Sequence, residues 1–204
     1  MIKNIIFDWS GTLADDLVMT YKATMYVFEK LGVKPMSLEE YRNKFFLPYM
    51  GFCKNYLPNC TTEQIKQLFL EGVQTVVDVE LYPEVKNVLK KLYDRDIKMI
   101  IMSATTKERI IADAKRYNIL DYFQEIDGDI FDKTKIIVDT IQRNGFNPEE
   151  TMCVGDMPHD IDAAKKVGAI SVGIFWGHKP KEMLGAVNPD YLISNITELE
   201  KLLN

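Results

Sequence analysis

Histidine is nearly missing from this chain. Only 2 occur among 204 residues, which excludes a histidine-rich metal centre. Cysteine is scarce and odd in number: Cys53, Cys60 and Cys153 show no CxxC spacing, so a disulfide framework is not expected and reduced thiols in a cytoplasmic protein are. A surplus of positive charge is also lacking. The net charge of -5 and pI near 5.2 predict no nucleic-acid partner, because binding to a phosphate backbone needs a basic surface. Long apolar runs do not occur either. Met1-Ile2-Lys3-Asn4-Ile5-Ile6-Phe7 reaches Asp8 after a few residues, so it reads as a first strand, with no signal segment and no membrane span expected. No internal repeat and no biased stretch interrupts the sequence.

What is present is an average globular composition, 47% apolar and 27% charged, in a length that allows one full domain plus a small insertion. Short apolar, β-branched runs recur at Lys3 to Phe7, Ile97 to Met102, Thr151 to Val154 and Ala169 to Ile174. Helical periods lie between them, at Pro83 to Tyr93, Thr106 to Tyr117, Thr134 to Arg143 and Pro158 to Val167, with Pro83 and Pro158 in first-turn positions. This alternation predicts an α/β fold with a parallel sheet covered on both faces. The stretch between the first two strands is too long for a crossover. It predicts an inserted helical cap with helices near Val18 to Leu31, Ser37 to Phe45, Gly51 to Tyr56 and Thr62 to Val79. Ser37-Leu38-Glu39-Glu40 and Thr62-Glu63-Gln64-Ile65 resemble capping signals. The expected division is a core of residues 1–16 and 81–204 and a cap of residues 17–80.

In such a sheet a ligand lies beyond the carboxyl ends of the strands. Three of those ends are polar here: Asp8-Trp9-Ser10-Gly11-Thr12, Ser103-Ala104-Thr105, and Gly155-Asp156-Met157-Pro158-His159-Asp160. A strand-end carboxylate at Asp8 can ligate a hard cation or attack as a nucleophile, whereas a simple turn or cap would use it for neither. Asp156 leaves a strand and Asp160 lies about one helical turn on, so with Asp8 they can form an oxygen-rich Mg²⁺ site. Asp162 reads instead as an acid favoured by the helix dipole. Ser103 and Ala104 stand at a helix start, where the serine taken alone reads as a plain N-cap and where free N–H groups can also cradle phosphate. Lys133 supplies a cation before the last acidic motif, with Lys135 as its competitor.

Taken in order, these four motifs resemble the haloacid dehalogenase superfamily over nearly the whole chain, in the phosphoglycolate phosphatase-like branch with a helical cap inserted between the first two motifs. The resemblance implies a Rossmann-like core with that cap, an aspartyl-phosphate at Asp8, phosphate held by Ser103 and Lys133 beside Gly11, Thr12 and Ala104, and Mg²⁺ held by Asp8, Asp156, Asp160 and the main-chain carbonyl of Ser10. The expected partner is a small phosphorylated or phosphonate substrate; no feature specifies an oligomeric state.

Phosphatases of that family usually have Asp-x-Asp-x-Thr in the first motif, the second aspartate acting as general acid and base. Ser10 stands there in this chain. Losing such a group costs on the order of 10²–10⁴ in rate. Three readings follow. The first is a slow phosphatase, or one handling leaving groups that need little protonation, helped by Asp15, Asp16, His159 or a cap residue. The second is carbon–phosphorus cleavage: phosphonoacetaldehyde hydrolases resemble Asp8-Trp9-Ser10-Gly11-Thr12, and Met50-Gly51-Phe52-Cys53-Lys54 has the spacing of their Schiff-base lysine, which would make Lys54 a substrate-binding residue. Asn55-Tyr56-Leu57 lacks the histidine that follows that lysine, and a solvated helix lysine is the other reading of Lys54. The third is a phosphate- or partner-binding protein without catalysis. Trp9, Trp176, Tyr49 and Tyr56 read as packing, the methionines as core filling, and His178 as a surface-loop histidine with a weaker claim on the pocket.

Overall fold

The computed structural model describes residues 1–74 and 79–203. The chain divides into two compact units, Met1–Ala14 with Leu81–Asn204, and Asp15–Glu80. In chain order the strands are β1 (Asn4–Phe7), the two-residue β2 (Ala14–Asp15) and β3 (Glu80–Leu81), β4 (Lys98–Met102), β5 (Phe123–Asp127), β6 (Thr151–Gly155), β7 (Ile170–Ile174) and β8 (Tyr191–Ile193). The helices are α1 (Leu17–Lys30), α2 (Leu38–Lys44), α3 (Tyr49–Tyr56), α4 (Thr62–Gln74), α5 (Val85–Tyr93), α6 (Lys107–Arg116), α7 (Lys133–Arg143), α8 (Pro158–Val167) and α9 (Lys181–Ala186).

The first unit is an α/β core built on a six-stranded sheet in the order β5-β4-β1-β6-β7-β8. Every adjacent pair is parallel. A parallel sheet covered on both faces needs strands that are apolar throughout, and β1 is buried at all four positions. On one face Ile6, Ile100, Met102 and Cys153 pack with Ile137 and Ile141 of α7 and with Ala163 and Ala164 of α8. The alternating residues Ile5, Phe7, Met99, Ile101, Met152 and Val154 are equally buried. Each such large side chain contributes about 1.5–3 kcal/mol of burial.

The register sets up the site. Phe7 is level with Ile101 of β4 and with Val154 of β6. Asp8, Ser103 and Asp156 therefore emerge at the carboxyl ends of three adjacent strands. After β1 the chain runs outward to β4 and β5, then returns to the other side for β6, β7 and β8, so β1 and β6 flank the point where strand order reverses.

The four expected strands are present to within a residue at each end, but β5 and β8 were not foreseen. Both lie at sheet edges. β5 reads Phe-Gln-Glu-Ile-Asp with only Phe123 and Ile126 buried. Pro83 is not in a first helical turn: α5 begins at Val85 after Glu84, whose φ of 66° places it in the left-handed region. Pro158 does open α8.

The second unit holds α1 to α4 around the rings of Phe28, Tyr41, Phe45 and Phe52, with Tyr41 and Phe52 edge to face at 5.7 Å. Ser37 caps α2 as expected, its hydroxyl accepting from the Glu40 N–H at 3.1 Å. The cap of α4 is Thr61 instead of Thr62. Thr61 Oγ1 accepts from the Gln64 N–H at 3.2 Å while the Gln64 side chain accepts from the Thr61 N–H at 2.9 Å. The expected helix Thr62 to Val79 is seen to Gln74; positions 75–78 lie outside the described residues.

Candidate active site

Asp8 is the residue immediately after β1, and its main-chain N–H donates to the Val154 carbonyl at 2.9 Å, continuing the ladder by one step. The chain then turns sharply. The Trp9 carbonyl accepts from the N–H groups of Thr12, Leu13 and Ala14, which fixes the loop carrying Ser10, Gly11 and Thr12. The Asp8 carboxylate accepts from the Trp9 N–H at 2.7 Å. Thr12 is fully buried, and its hydroxyl has no hydrogen-bond partner.

Asp156 and Asp160 come from the β6–α8 connection. Asp156 is fully buried one residue past the strand, and Asp160 lies in the first turn of α8. Asp160 has the dipole-favoured position of a helix acid and a second role as well. Its Oδ2 accepts from the Met157 N–H at 2.9 Å, while Oδ1 faces Lys133 Nζ at 2.5 Å. Carboxylate oxygens of Asp8, Asp156 and Asp160 lie within 4.8 Å of one another.

Lys133 opens α7 and is itself buried, with its ammonium 3.0 Å from Asp8 Oδ1. Lys135 is not a member of this cluster; it pairs with Asp132 at the surface. Burial pushes the Asp8 carboxyl upward, and the neighbouring Asp160 and Asp156 push it further, so that Lys133 does not restore the ordinary value. For Asp160 burial acts the same way, but Lys133 and the Met157 N–H outweigh it and hold the carboxyl low. Burial disfavours the charged ammonium of Lys133, yet Asp160 and Asp8 raise its pKa overall. His159 Nε2 stands 3.5 Å from Asp160 Oδ1.

Ser103 and Ala104 follow β4, next to β1, and Ser103 is fully buried, with its hydroxyl accepting from the Thr105 N–H at 3.4 Å. Lys54 belongs to the other unit, where its ammonium donates to the Cys60 carbonyl. His178 is not a surface-loop histidine. It is 4% exposed, and both its main-chain N–H and its Nδ1 meet Asp156 Oδ2, at 2.5 Å and 2.9 Å. Its turn, Trp176-Gly177-His178-Lys179, has no periodicity to betray burial; the only hint was its place just after a strand of the same sheet. Trp176 packs as expected, near Tyr82, with its indole N–H on the Thr12 carbonyl at 3.2 Å.

Three buried carboxylates gather here, and the Lys133 ammonium pairs with two of them, Asp8 and Asp160. Asp156 Oδ1 is buried with no hydrogen-bond partner. Groups in that state are costly unless something cationic joins them. Hard oxygen donors at this spacing suit a divalent cation. A parallel sheet carrying such a set at its strand ends defines the class as a doubly wound α/β protein with an acidic, metal-competent centre.

Comparison with known proteins makes this specific. Residues 5–174 match the haloacid dehalogenase-like hydrolase family, and the chain belongs to it. A phosphoglycolate phosphatase of Synechococcus elongatus is 25% identical over 206 residues, covering 97% of this chain and 95% of that protein. The pyrophosphatase PpaX of Oceanobacillus iheyensis is also 25% identical, over 205 residues, again covering 97% and 95%. Among solved structures, a haloacid dehalogenase-like hydrolase from Streptococcus pneumoniae superposes with a TM-score of 0.83 at 23% identity, covering 100% of this chain and 99% of that one, a likeness of fold. With its family and its phosphatase-named relatives, the chain is a phosphatase-like hydrolase. No helix among the described residues is long and apolar enough to cross a membrane.

Proposed function

We propose that this chain is a cytoplasmic, Mg²⁺-dependent phosphohydrolase that attacks a small phosphorylated metabolite with Asp8 and favours substrates whose leaving group needs no proton. The observation that carries this reading is the trio Asp8, Asp156 and Asp160 within 4.8 Å, with a buried oxygen of Asp156 left unpartnered. The Mg²⁺ would be held by these carboxylates with the Ser10 carbonyl, and it would neutralise charge on the phosphoryl oxygens. In this reading residues 1–16 and 81–204 serve as the catalytic core, and residues 17–80 as a cap that sets substrate choice.

A carboxylate oxygen of Asp8 forms a bond to phosphorus as the bond from phosphorus to the leaving oxygen breaks. Lys133 holds Asp8 in place at 3.0 Å and offsets the charge of the incoming phosphoryl group. Ser103, Ala104, Gly11 and Thr12 would cradle that group, with the buried Thr12 hydroxyl available to donate. Water then attacks the phosphorus of the aspartyl-phosphate, releasing phosphate and regenerating Asp8. Ser10 has no carboxyl proton to give the leaving oxygen and no carboxylate to accept one from water. An alkyl phosphate, which departs as a strong base, suffers most from that lack; an acyl phosphate or phosphoanhydride, which departs as a stable anion, suffers least. The Oceanobacillus iheyensis relative is named a pyrophosphatase, and pyrophosphate is a phosphoanhydride. The carbon–phosphorus alternative gains no support from Lys54, whose ammonium is engaged by the Cys60 carbonyl.

Turnover of acetyl phosphate and of a simple alkyl phosphate with Mg²⁺ tests the reading. Acetyl phosphate should be hydrolysed much the faster, and Asp8→Asn should abolish it, a loss on the order of 10⁴-fold or more. Hydrolysis that survives Asp8→Asn refutes the nucleophile. Ser10→Asp should raise alkyl phosphate turnover by roughly 10²–10⁴; unchanged turnover would show that the missing acid is not the limitation.

A further inference from the structure

We propose that His178 is a positioning residue that clamps one oxygen of Asp156 so that the other is presented to the cation. This rests on the reading of Asp156 as a metal ligand. Asp156 departs from the other two carboxylates in its support: Lys133 pairs with Asp8 and Asp160, whereas the hydrogen bonds at Asp156 Oδ2 come from one residue 22 positions on, through a main-chain N–H at 2.5 Å and a ring nitrogen at 2.9 Å. A carboxylate held at one oxygen by two donors on the same residue cannot swing about its own axis without breaking both. Oδ1 is thereby left buried, with no protein donor on it.

The hydrogen bond also fixes the imidazole. A carboxylate that ligates a cation only accepts, so in this reading the Nδ1 of His178 is the donor. Ring and carboxylate are further pinned by two glycines. A methyl group at Gly11, whose φ is 71°, would overlap both the Asp156 carboxylate and His178 Nδ1. One at Gly177 would overlap the same carboxylate and the Gly11 carbonyl. The first-motif loop, the β6 end and the β7 end therefore close on a single carboxylate. Gly11, expected beside the substrate phosphate, has a packing duty here irrespective of any ligand. Residues one step behind a metal ligand typically change metal affinity about 10–100-fold when their hydrogen bond is lost.

The test uses two substitutions of nearly equal size, His178→Asn, which keeps an N–H donor close to the Nδ1 position, and His178→Leu, which removes it. Calorimetric titration of the full chain with Mn²⁺, alongside Asp156→Asn as reference, gives Kd for each, and urea unfolding without metal gives their stabilities. His178→Leu should weaken Mn²⁺ binding about 10–100-fold and His178→Asn by only a few-fold. Both should lose stability without metal, since either leaves space where the ring was. If the two bind Mn²⁺ alike while Asp156→Asn has lost it, His178 is only a packing residue and the proposal falls with the metal site intact. If Asp156→Asn binds as tightly as the unmodified chain, the metal assignment itself is wrong and the proposal falls with it.

Discussion

Two places in the core unit gather three carboxylates beside a lysine or arginine, and they have little else in common. At the strand ends Lys133 faces Asp8 and Asp160, with Asp156 beside them, and each of the four residues is at most 6% exposed. Along α7, ten residues further on, Arg143 binds Glu125 at 2.7 Å, Asp139 at 2.8 Å and Asp127. Asn144 adds a bond to Glu125 at 2.6 Å, and the Asp139 side chain is 73% exposed. Water and a forked guanidinium satisfy the second group, so it ties β5 to α7 and asks for nothing more. The first is shut away from water with an oxygen unpartnered, the state from which the proposed cation and phosphoryl group would complete it. Burial, not the count of acids, separates a site from a surface network.

Removing the cation from each group should expose that difference most strongly. Lys133→Met leaves buried carboxylates facing one another and should cost about 3–5 kcal/mol without metal. Mg²⁺ at the proposed site should return part of this, because a ligand taken up by the folded state alone stabilises it. Arg143→Met releases carboxylates that water can reach and should cost about 1 kcal/mol or less, with no dependence on Mg²⁺. Urea unfolding of both variants with and without a chelator measures the four values. Equal losses would mean that burial is not what distinguishes the clusters.

The sequence revealed the two groups unequally. Asp8, Asp156 and Asp160 were legible because each follows or closely trails an apolar strand, where the covered sheet leaves few positions for charge, and a parallel sheet gathers those positions at one edge. Lys133 could be placed only against its competitor Lys135, two positions apart at the start of one helix; which of them turns inward is decided by the seating of α7 on the sheet. The Arg143 network was invisible because β5 was: Phe123-Gln124-Glu125-Ile126-Asp127 is an edge strand with too few apolar residues to stand out. His178 was misjudged for a related reason. Local sequence gives a loop histidine no reason to be buried, and what buries it is a carboxylate 22 residues earlier, with two glycines that let the backbones close in. Thr61 against Thr62 is a smaller case, two threonines in a row of which only the first has its side chain on the helix entry.

The smallest effect tests whether the exposed network behaves as an ordinary set of ion pairs. Burial tends to raise the Glu125 carboxyl, but its bonds to Arg143 and Asn144 prevail and hold it below the ordinary value of 4.5. A carboxyl lowered by folding contributes stability that is complete above its ordinary range and drains away as pH falls through the lowered value. Asp127 tilts the other way: burial and the charge of Glu125 raise it against the pull of Arg143, so the folded state takes its proton more readily and offsets part of the trend. Glu125→Gln removes the first contribution and one cause of the second. The variant should be less stable than the unmodified chain by about 1 kcal/mol or less at neutral pH, and the gap should narrow steadily as urea unfolding is repeated at falling pH. A gap that widens on acidification would mean that Glu125 is held high in the folded state, and that this surface network shares the electrostatic strain assigned only to the buried one.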